Sequence, residues 1–549
     1  MIAVHLDQVT VTYVNDPIFA GLSWEIHDDR VVGLIGANGT GKSTLMKLIA
    51  GDLSSESGFL NRKTGLTVGV LRQEPKLNPA HTLWEEAVSA SVKLAEVNAA
   101  LAKVEASLGE PDVYGDEKKL ARALDRQAHL LEQFATLGGP NYESRVRSTL
   151  ISLGFDEGQF ALPVTVLSGG QKKLVGLAKL MVTQPDLLLL DEPDNHLDIA
   201  GKDFLARFIR GYKGAVVIIS HDRYLLDLVV DEIAELEDGK LNVFPGTYSE
   251  YAFEKQVRLL RQQQLFQAQQ KEITRLEQAA KRLLMWGKMY DNEKFSKRGA
   301  SMMKRIEKIE RIDKPIMERK KMGLELAGWR GSNKVLNITD LDKAFPDPED
   351  PRAERLIFAG LELTIWHGER VGIVGPNGAG KSVLMRMILG DETPTGGEIH
   401  LGPSIRVGHY AQEHETLDPN KTLLDTVRFA ANCSESDAVA ILGRFVFSYL
   451  QTRSKISTLS GGERSRLQLA LLMISGANFL LLDEPTNNLD IPSAEVLENA
   501  LQDFEGTVFV ISHDRYFLDR VATRIVELEE GLLTDYAGNY SDYREAKGK

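Results

Sequence analysis

A chain of 549 residues, 43% hydrophobic and 26% charged, has the makeup of a globular protein but is too long for one compact core. Its one cysteine, Cys433, excludes disulfide frameworks, iron–sulfur clusters and cysteine-based zinc sites. The net charge of −13, taken whole, argues against a nucleic-acid binder. No apolar run approaches the ~18 residues that span a bilayer, and MIAVHLDQVTVTY has no basic stretch leading into an apolar one, so the expectation is a cytoplasmic protein with no membrane partner.

In chain order, an apolar strand at 31–35 runs into Gly36, Ala37, Asn38, Gly39, Thr40, Gly41, Lys42, Ser43 and Thr44, with Gln73 31 residues beyond Lys42. Within about 86–147, VNAALAKVEASLGE and KKLARALDRQAHLLEQFATLG read as amphipathic helices. Ser168, Gly169, Gly170 and Gln171 then open a helix, an apolar strand ends in Asp191 and Glu192, and His221 follows AVVIIS. The series recurs: a strand at 371–374, then Gly375, Pro376, Asn377, Gly378, Ala379, Gly380, Lys381, Ser382 and Val383, then Gln412, then Ser460, Gly461, Gly462 and Glu463, then Asp483 and Glu484, then His513 after TVFVIS. Lysine to glutamine is 31 residues in both copies, serine to glutamate 24, and glutamate to histidine 29. Only glutamine to signature leucine differs, 94 residues against 47, so the chain is a tandem duplication with an extra 47 residues in copy one.

Between the copies, at about 246–325, two helices are expected. Leu259, Phe266, Ile273 and Ala280 form a heptad-like stripe in the first, and Met302, Ile306, Ile309 and Ile316 fall at helical spacing in the second. Around 287–300 the periodicity is lost and Gly287 and Gly299 appear, which reads as the turn of an antiparallel hairpin. Its first helix would hold about 38 residues and run roughly 55 Å. From 251 to 321 there are 19 Lys and Arg against 9 Asp and Glu, a net of +10, leaving −23 for the remainder. Lys288, Lys294, Lys297, Arg298, Lys304 and Arg305 cluster near the expected tip, with Trp286, Tyr290 and Phe295 among them. Charge alone leaves two readings open, a solvated coiled coil and an RNA contact.

The glycine-rich loops are phosphate-binding loops: backbone N–H groups wrap the phosphates, Lys42 and Lys381 reach them, and Ser43 and Ser382 ligate magnesium. A carboxylate pair at the carboxyl edge of a parallel sheet fits Asp191 and Asp483 to organising magnesium and Glu192 and Glu484 to activating water. ATP and Mg2+ are the implied cofactors. Together these residues resemble the ATP-binding cassette family over both halves, and the helical linker with EPDNHLD and EPTNNLD resembles its ABC-F subfamily.

The resemblance implies an α/β architecture of two tandem cassettes, 1–245 (with a helical arm at about 86–147) and 326–549, joined by the hairpin linker at 246–325. It implies a soluble ATPase that acts on ribosomes and regulates or rescues translation, the basic linker entering the tRNA exit site toward tRNA and the peptidyl-transferase region, and the arm touching the large subunit. It further implies a monomer whose cassettes pair head to tail around two ATP sites. Tyr13 and Phe345 would stack on adenine, Gln73 and Gln412 sense magnesium and water, Asp198 and Asp490 cross between cassettes, and His221 and His513 contact the γ-phosphate. Two departures stand out. Asp194 replaces the usual threonine, either slowing hydrolysis at the first site or varying neutrally at a solvated position, and Val383 replaces a threonine behind the retained Ser382. The competing class is a twin-cassette transporter subunit, which has no use for a basic hairpin; a DNA-repair ATPase would carry zinc cysteines or far longer coiled coils. Housekeeping and antibiotic-resistance roles stay open, the short tip leaning toward the former.

Overall fold

The computed structural model describes residues 1–13, 16–73, 75–195, 197–289, 293–308, 322–326, 328–346, 354–411 and 417–548. Two compact units are distinguished: Met1–Thr247 together with Met322–Lys549, and Tyr248–Lys321.

The first unit contains the duplication as two copies of one topology. In copy one, Ile2–Tyr13 lies between Asp16–His27 and Ser57–Arg62 in an antiparallel three-stranded sheet. A six-stranded sheet follows the order Val68–Leu71, Leu187–Asp191, Ala215–Ile219, Val31–Ile35, Glu232–Glu237, Lys240–Pro245, parallel except for the last strand. Copy two repeats both sheets in the same order, with Arg370–Val374, Phe479–Asp483 and Thr507–Ile511 at the centre of the larger one. The central strands read LLLL, AVVII and TVFVI because both faces are covered, the condition that makes a parallel strand continuously apolar. Between the sheets of copy one sits the helix Lys42–Ala50, whose Leu45, Met46, Leu48 and Ile49 are buried in the shared core. That packing aims the helix N-terminus, and the glycine loop before it, at the carboxyl edge of the large sheet.

The 47-residue excess forms two helices, Val92–Leu108 and Glu117–Thr136, joined through Pro111–Tyr114. Leu94, Leu101 and Val104 bury themselves on the first, whereas the second has no fully buried residue and exposes Leu124 and Leu131.

The second unit is an antiparallel pair, Tyr248–Met289 and Glu293–Glu307. The first helix holds 42 residues, about 63 Å at 1.5 Å per residue. The turn expected over 287–300 is corrected: both flanks are helical, so no more than 290–292 separates the helices, and Tyr290 lies outside the described residues. Gly287 and Gly299 are buried helix residues at which the partner helix comes close. A Cβ at Gly287 would collide with Ser296, backbone included, and one at Gly299 would stand 2.8 Å from Leu284 Cγ. Trp286 and Phe295 meet edge to face, ring centroids 6.4 Å apart, and close the end of the pair. Of the expected apolar stripes, Ile273, Ala280 and Ile306 are buried, while Ile309 and Ile316 lie outside the described residues.

In an open helix Gly→Ala stabilises by about 1 kcal/mol. Gly287→Ala should do the opposite, loosening the pair: amide hydrogen exchange across 280–300 in the full chain should speed up, and unchanged or slower exchange would show that the helices do not meet there.

Candidate functional site

Both glycine loops leave their strands through backbone that only glycine holds easily. Gly36 has φ 155° and Gly375 φ 149°, and a Cβ at Gly380 would stand 2.5 Å from Ile357 Cγ2. Around the turn, Thr40 Oγ1 donates to the Ala37 carbonyl at 2.9 Å, and Gly39, Gly41 and Gly378 also have positive φ. Lys42 Nζ donates to the carbonyls of Gly36 and Ala37 at 2.7 and 3.0 Å, and Lys381 Nζ to those of Gly375 and Pro376, both at 2.8 Å. Burial lowers the pKa of both ammonium groups. Ser43, Thr44, Ser382 and Val383 begin the helices behind the loops, and Ser43 hydrogen-bonds Asp191, whose carboxyl is raised by burial.

Glu192 and Glu484 follow the strand ends in left-handed backbone, φ 50° and 47°, which swings each carboxylate back over the sheet edge. Gln73 Nε2 donates to Glu192 Oε2 at 2.9 Å and Asn195 Nδ2 to the same oxygen at 2.7 Å. His221 Nε2 stands 3.7 Å from Glu192 Oε1, and His513 Nε2 3.6 Å from Glu484 Oε1. Burial, reinforced by Asp191 and then Asp194, pushes the Glu192 carboxyl up to about 7. Burial with Asp483 pushes Glu484 up to about 8. Burial lowers both imidazoles, His221 to about 4, so they are neutral at pH 7. Glu484 Oε1, His221 Nε2 and His513 Nδ1 are buried polar atoms without a hydrogen-bond partner among the described residues, the state expected of groups held for a polar ligand.

The two copies complete one another. Asn38 N–H donates to Asp490 Oδ2 at 2.9 Å, and Asn377 N–H donates to Asp198 Oδ2 at 3.2 Å. A Cβ on Gly462 would stand 2.6 Å from Asn38 Nδ2, so only glycine lets the two loops approach this closely. A cavity of about 1030 Å³ is lined from one copy by Ser168, Gly169, Gly170, Gln171 and Asp198, and from the other by Lys381, Ser382, Asp483, Glu484 and His513. Gln171 and Glu463 have a local task as well: each closes a capping box with Ser168 or Ser460, leaving Gly169, Gly170 and Gly461, Gly462 in the first helical turn.

Gln412 lies outside the described residues, as does the side chain of Tyr13, which closes its strand. Phe345 carries Lys343 Nζ 4.6 Å from its ring centre. The six basic residues expected near the tip are all exposed, Lys288 on the long helix and Lys294, Lys297, Arg298, Lys304 and Arg305 on the short one, with Lys297 pairing with Glu293 at 3.1 Å. Asp194 corrects the solvated reading of its position: only 4% exposed, it packs by Ser220, Asp222 and Lys202.

Sequence reasoning missed the arginine after each histidine-aspartate pair. Arg223 forms a fully buried ion pair with Glu498 of the other copy, and Arg520 adds a second at 2.8 Å. Arg515 reaches Asp203 at 2.6 Å and the Ile199 carbonyl at 3.0 Å. Each guanidinium also sits over an opposing ring, Arg223 over Tyr516 and Arg515 over Tyr224. The repeat SHDRY in both copies was the available signal. Glu498→Ala should take away the buried carboxylate that Arg223 and Arg520 share and destabilise the unit by about 3–5 kcal/mol, whereas Arg223→Leu with Glu498→Leu should cost less; thermal unfolding decides, and equal losses would remove the pair from the interface.

Residues 19–195 and 358–487 match a protein-family model described as ABC transporter, and 234–326 match a second model of that description. The energy-dependent translational throttle protein EttA of Escherichia coli (strain K12) is 36% identical over 539 residues, 96% of this chain and 93% of its own. ABC transporter F family member 5 of Arabidopsis thaliana is 35% identical over 552 residues, 99% of this chain and 77% of its own. Among solved structures, an archaeal ribosome recycling factor, aABCE1, superposes with a TM-score of 0.57 at 20% identity, over 98% of this chain and 92% of that one, a likeness of fold alone. None of the described helices is long and apolar enough to cross a membrane. Two cassettes that each match the family, and relatives aligned over 96% and 99% of this chain, leave one placement: the chain is an ATPase of the ABC-F subfamily of ATP-binding cassette proteins.

Proposed function

We propose that this ATPase acts on the ribosome, coupling ATP hydrolysis at two composite sites to the regulation or rescue of translation. The observation that carries the ATP-site reading is the reciprocal seating of each phosphate loop against the other cassette, Asn38 on Asp490 and Asn377 on Asp198. One site combines the loop at 36–44, Glu192 and His221 with Ser460, Gly461 and Gly462. The other combines the loop at 375–383, Glu484 and His513 with Ser168, Gly169 and Gly170. Loop amides and the lysines bind phosphate oxygens, the signature serines and glycines close the site from across the interface, and the glutamates accept a proton from the attacking water. The hydroxyls of Ser43 and Ser382 with the carboxylates of Asp191 and Asp483 are a hard-oxygen donor set suited to Mg2+, which keeps its remaining positions for phosphate and water. When bound, magnesium would neutralise phosphate charge. Pairing of the cassettes is then the ATP-dependent element, and it is internal to a monomer.

The ribosomal part rests on EttA, a translational throttle protein by name and 36% identical over nearly the whole of both chains, and on the exposed basic residues of the second unit. An acidic body with a basic hairpin directs RNA contact to the hairpin: phosphate contacts supply affinity there, while the remainder repels RNA. The reading extends to tRNA and large-subunit rRNA near the tRNA exit site, and to a cytoplasmic location.

Glu192→Gln with Glu484→Gln should preserve ATP binding, cut hydrolysis ~10²-fold or more, and retain the protein on ribosomes in an ATP-dependent manner. Co-sedimentation with membranes and not ribosomes would favour a transporter subunit. Neutralising Lys294, Lys297 and Arg298 should weaken ribosome binding and reduce its dependence on salt by a slope of about 2–3; an unchanged slope would take RNA contact away from the hairpin.

A further inference from the structure

From the signature serines onward the two copies are related by a constant offset of 292 positions, Ser168 to Ser460, Asp198 to Asp490 and His221 to His513. At that offset Asp194 becomes Thr486 and Lys202 becomes Ala494. Two substitutions that would each bury a lone charge therefore occur together in the first cassette and are both absent from the second.

Lys202 lies on the helix Ile199–Arg210 with its side chain 12% exposed. Its Nζ donates to Asp222 Oδ2 at 2.8 Å within its own cassette and to the backbone carbonyl of His513 at 3.0 Å in the opposite one. Asp194, buried beside Ser220 and Asp222, adds a second carboxylate that acts on the ammonium through space, while the direct ion pair is with Asp222 and the remaining reach goes to the opposite cassette. Asp514 and Glu484 feel the same positive charge, which works to lower both carboxyls against the burial that raises them. Lys202 also lines the cavity that Lys381, Glu484 and His513 line from the other side. The methyl side chain of Ala494 has no atom able to donate in this way.

The carbonyl that Lys202 holds belongs to the residue whose imidazole stands 3.6 Å from Glu484. Fixing that carbonyl fixes the loop from which the ring projects, and a misplacement of about 1 Å in such a group costs up to ~10²-fold in rate. We propose that Lys202 is a positioning residue for hydrolysis at the Glu484 site, supplied across the interface by the opposite cassette, and that the Glu192 site works without one. Asp194 is then the counter-charge that keeps Lys202 in place, and the chemical difference between the cassettes acts on the opposite site. The inference rests on the composite-site reading above.

The test is Asp194→Thr with Lys202→Ala, a change that preserves the local charge balance and copies the second cassette's own pair, so folding should survive; a melting temperature within a few degrees of wild type checks this. ATP turnover is measured in a Glu192→Gln background, which leaves the Glu484 site working, and in a Glu484→Gln background, which leaves the other. The expected result is a loss in kcat of ~10-fold in the first background with KM within about twofold, and no more than a twofold change in the second. Lys202→Arg, with Asp194 retained, should keep at least about half the activity, as a positioned cation would and a packing role would not. In the otherwise unaltered chain the double change should lower kcat by about half at unchanged KM, which gives a reading even where one glutamine silences both sites. Equal losses in both backgrounds, a rise in KM alone, or full activity would overturn the role of Lys202. If the chain with both glutamates replaced still turns over ATP at the wild-type rate, the composite-site reading itself fails, and the two failures are thereby distinguished.

Discussion

The arrangement depends on a phosphate loop's surplus of hydrogen-bond donors. Each loop presents more backbone N–H groups at the carboxyl edge of a parallel sheet than its own turn accepts among the described residues. Part of the answer comes from the other cassette: Asp490 accepts from Asn38 and Asp198 from Asn377, while the same aspartates cap the helices Ile491–Asp503 and Ile199–Arg210 with their other oxygen. One carboxylate thus ends its own helix and meets the opposing loop, which ties helix placement in one copy to loop geometry in the other. The close approach is possible because glycine stands at Gly462, where a Cβ would strike Asn38.

Around this constraint the duplication has diverged in its buried charges. Copy two contributes Glu498, wholly buried and shared by Arg223 and Arg520, where copy one at the same offset has Ala206. Copy one contributes Asp194 and Lys202, where copy two has Thr486 and Ala494. Buried charges survive only when paired, so each such change arrives with its partner, and the partner is in some cases on the other cassette. Two copies with the same strand order and motif spacing therefore face each other through unlike chemistry.

The hairpin shows where one-dimensional reading loses resolution. Glycine and a lapse of apolar periodicity normally mark a turn, yet Gly287 and Gly299 lie inside helices. A residue that lets two backbones approach and a residue that lets one backbone reverse are written with the same letter, and only the position of the second helix separates the two uses. Asp194 is the parallel case for charge: an acidic residue after a strand end reads as solvated until Lys202 and Asp222 are seen beside it.

Motif spacing alone determined the duplication, the two glycine loops, the carboxylate pair at each sheet edge and the basic segment between the copies, because each is a local pattern carried by residues close in sequence. The strand order, the reciprocal seating of Asn38 and Asn377, the Arg223–Glu498 pair spanning 275 positions and the bridge from Lys202 to His513 spanning 311 were decided only by the tertiary structure. Contacts between cassettes leave no periodicity in the chain, since nothing in the spacing of one copy records which face of the other it meets.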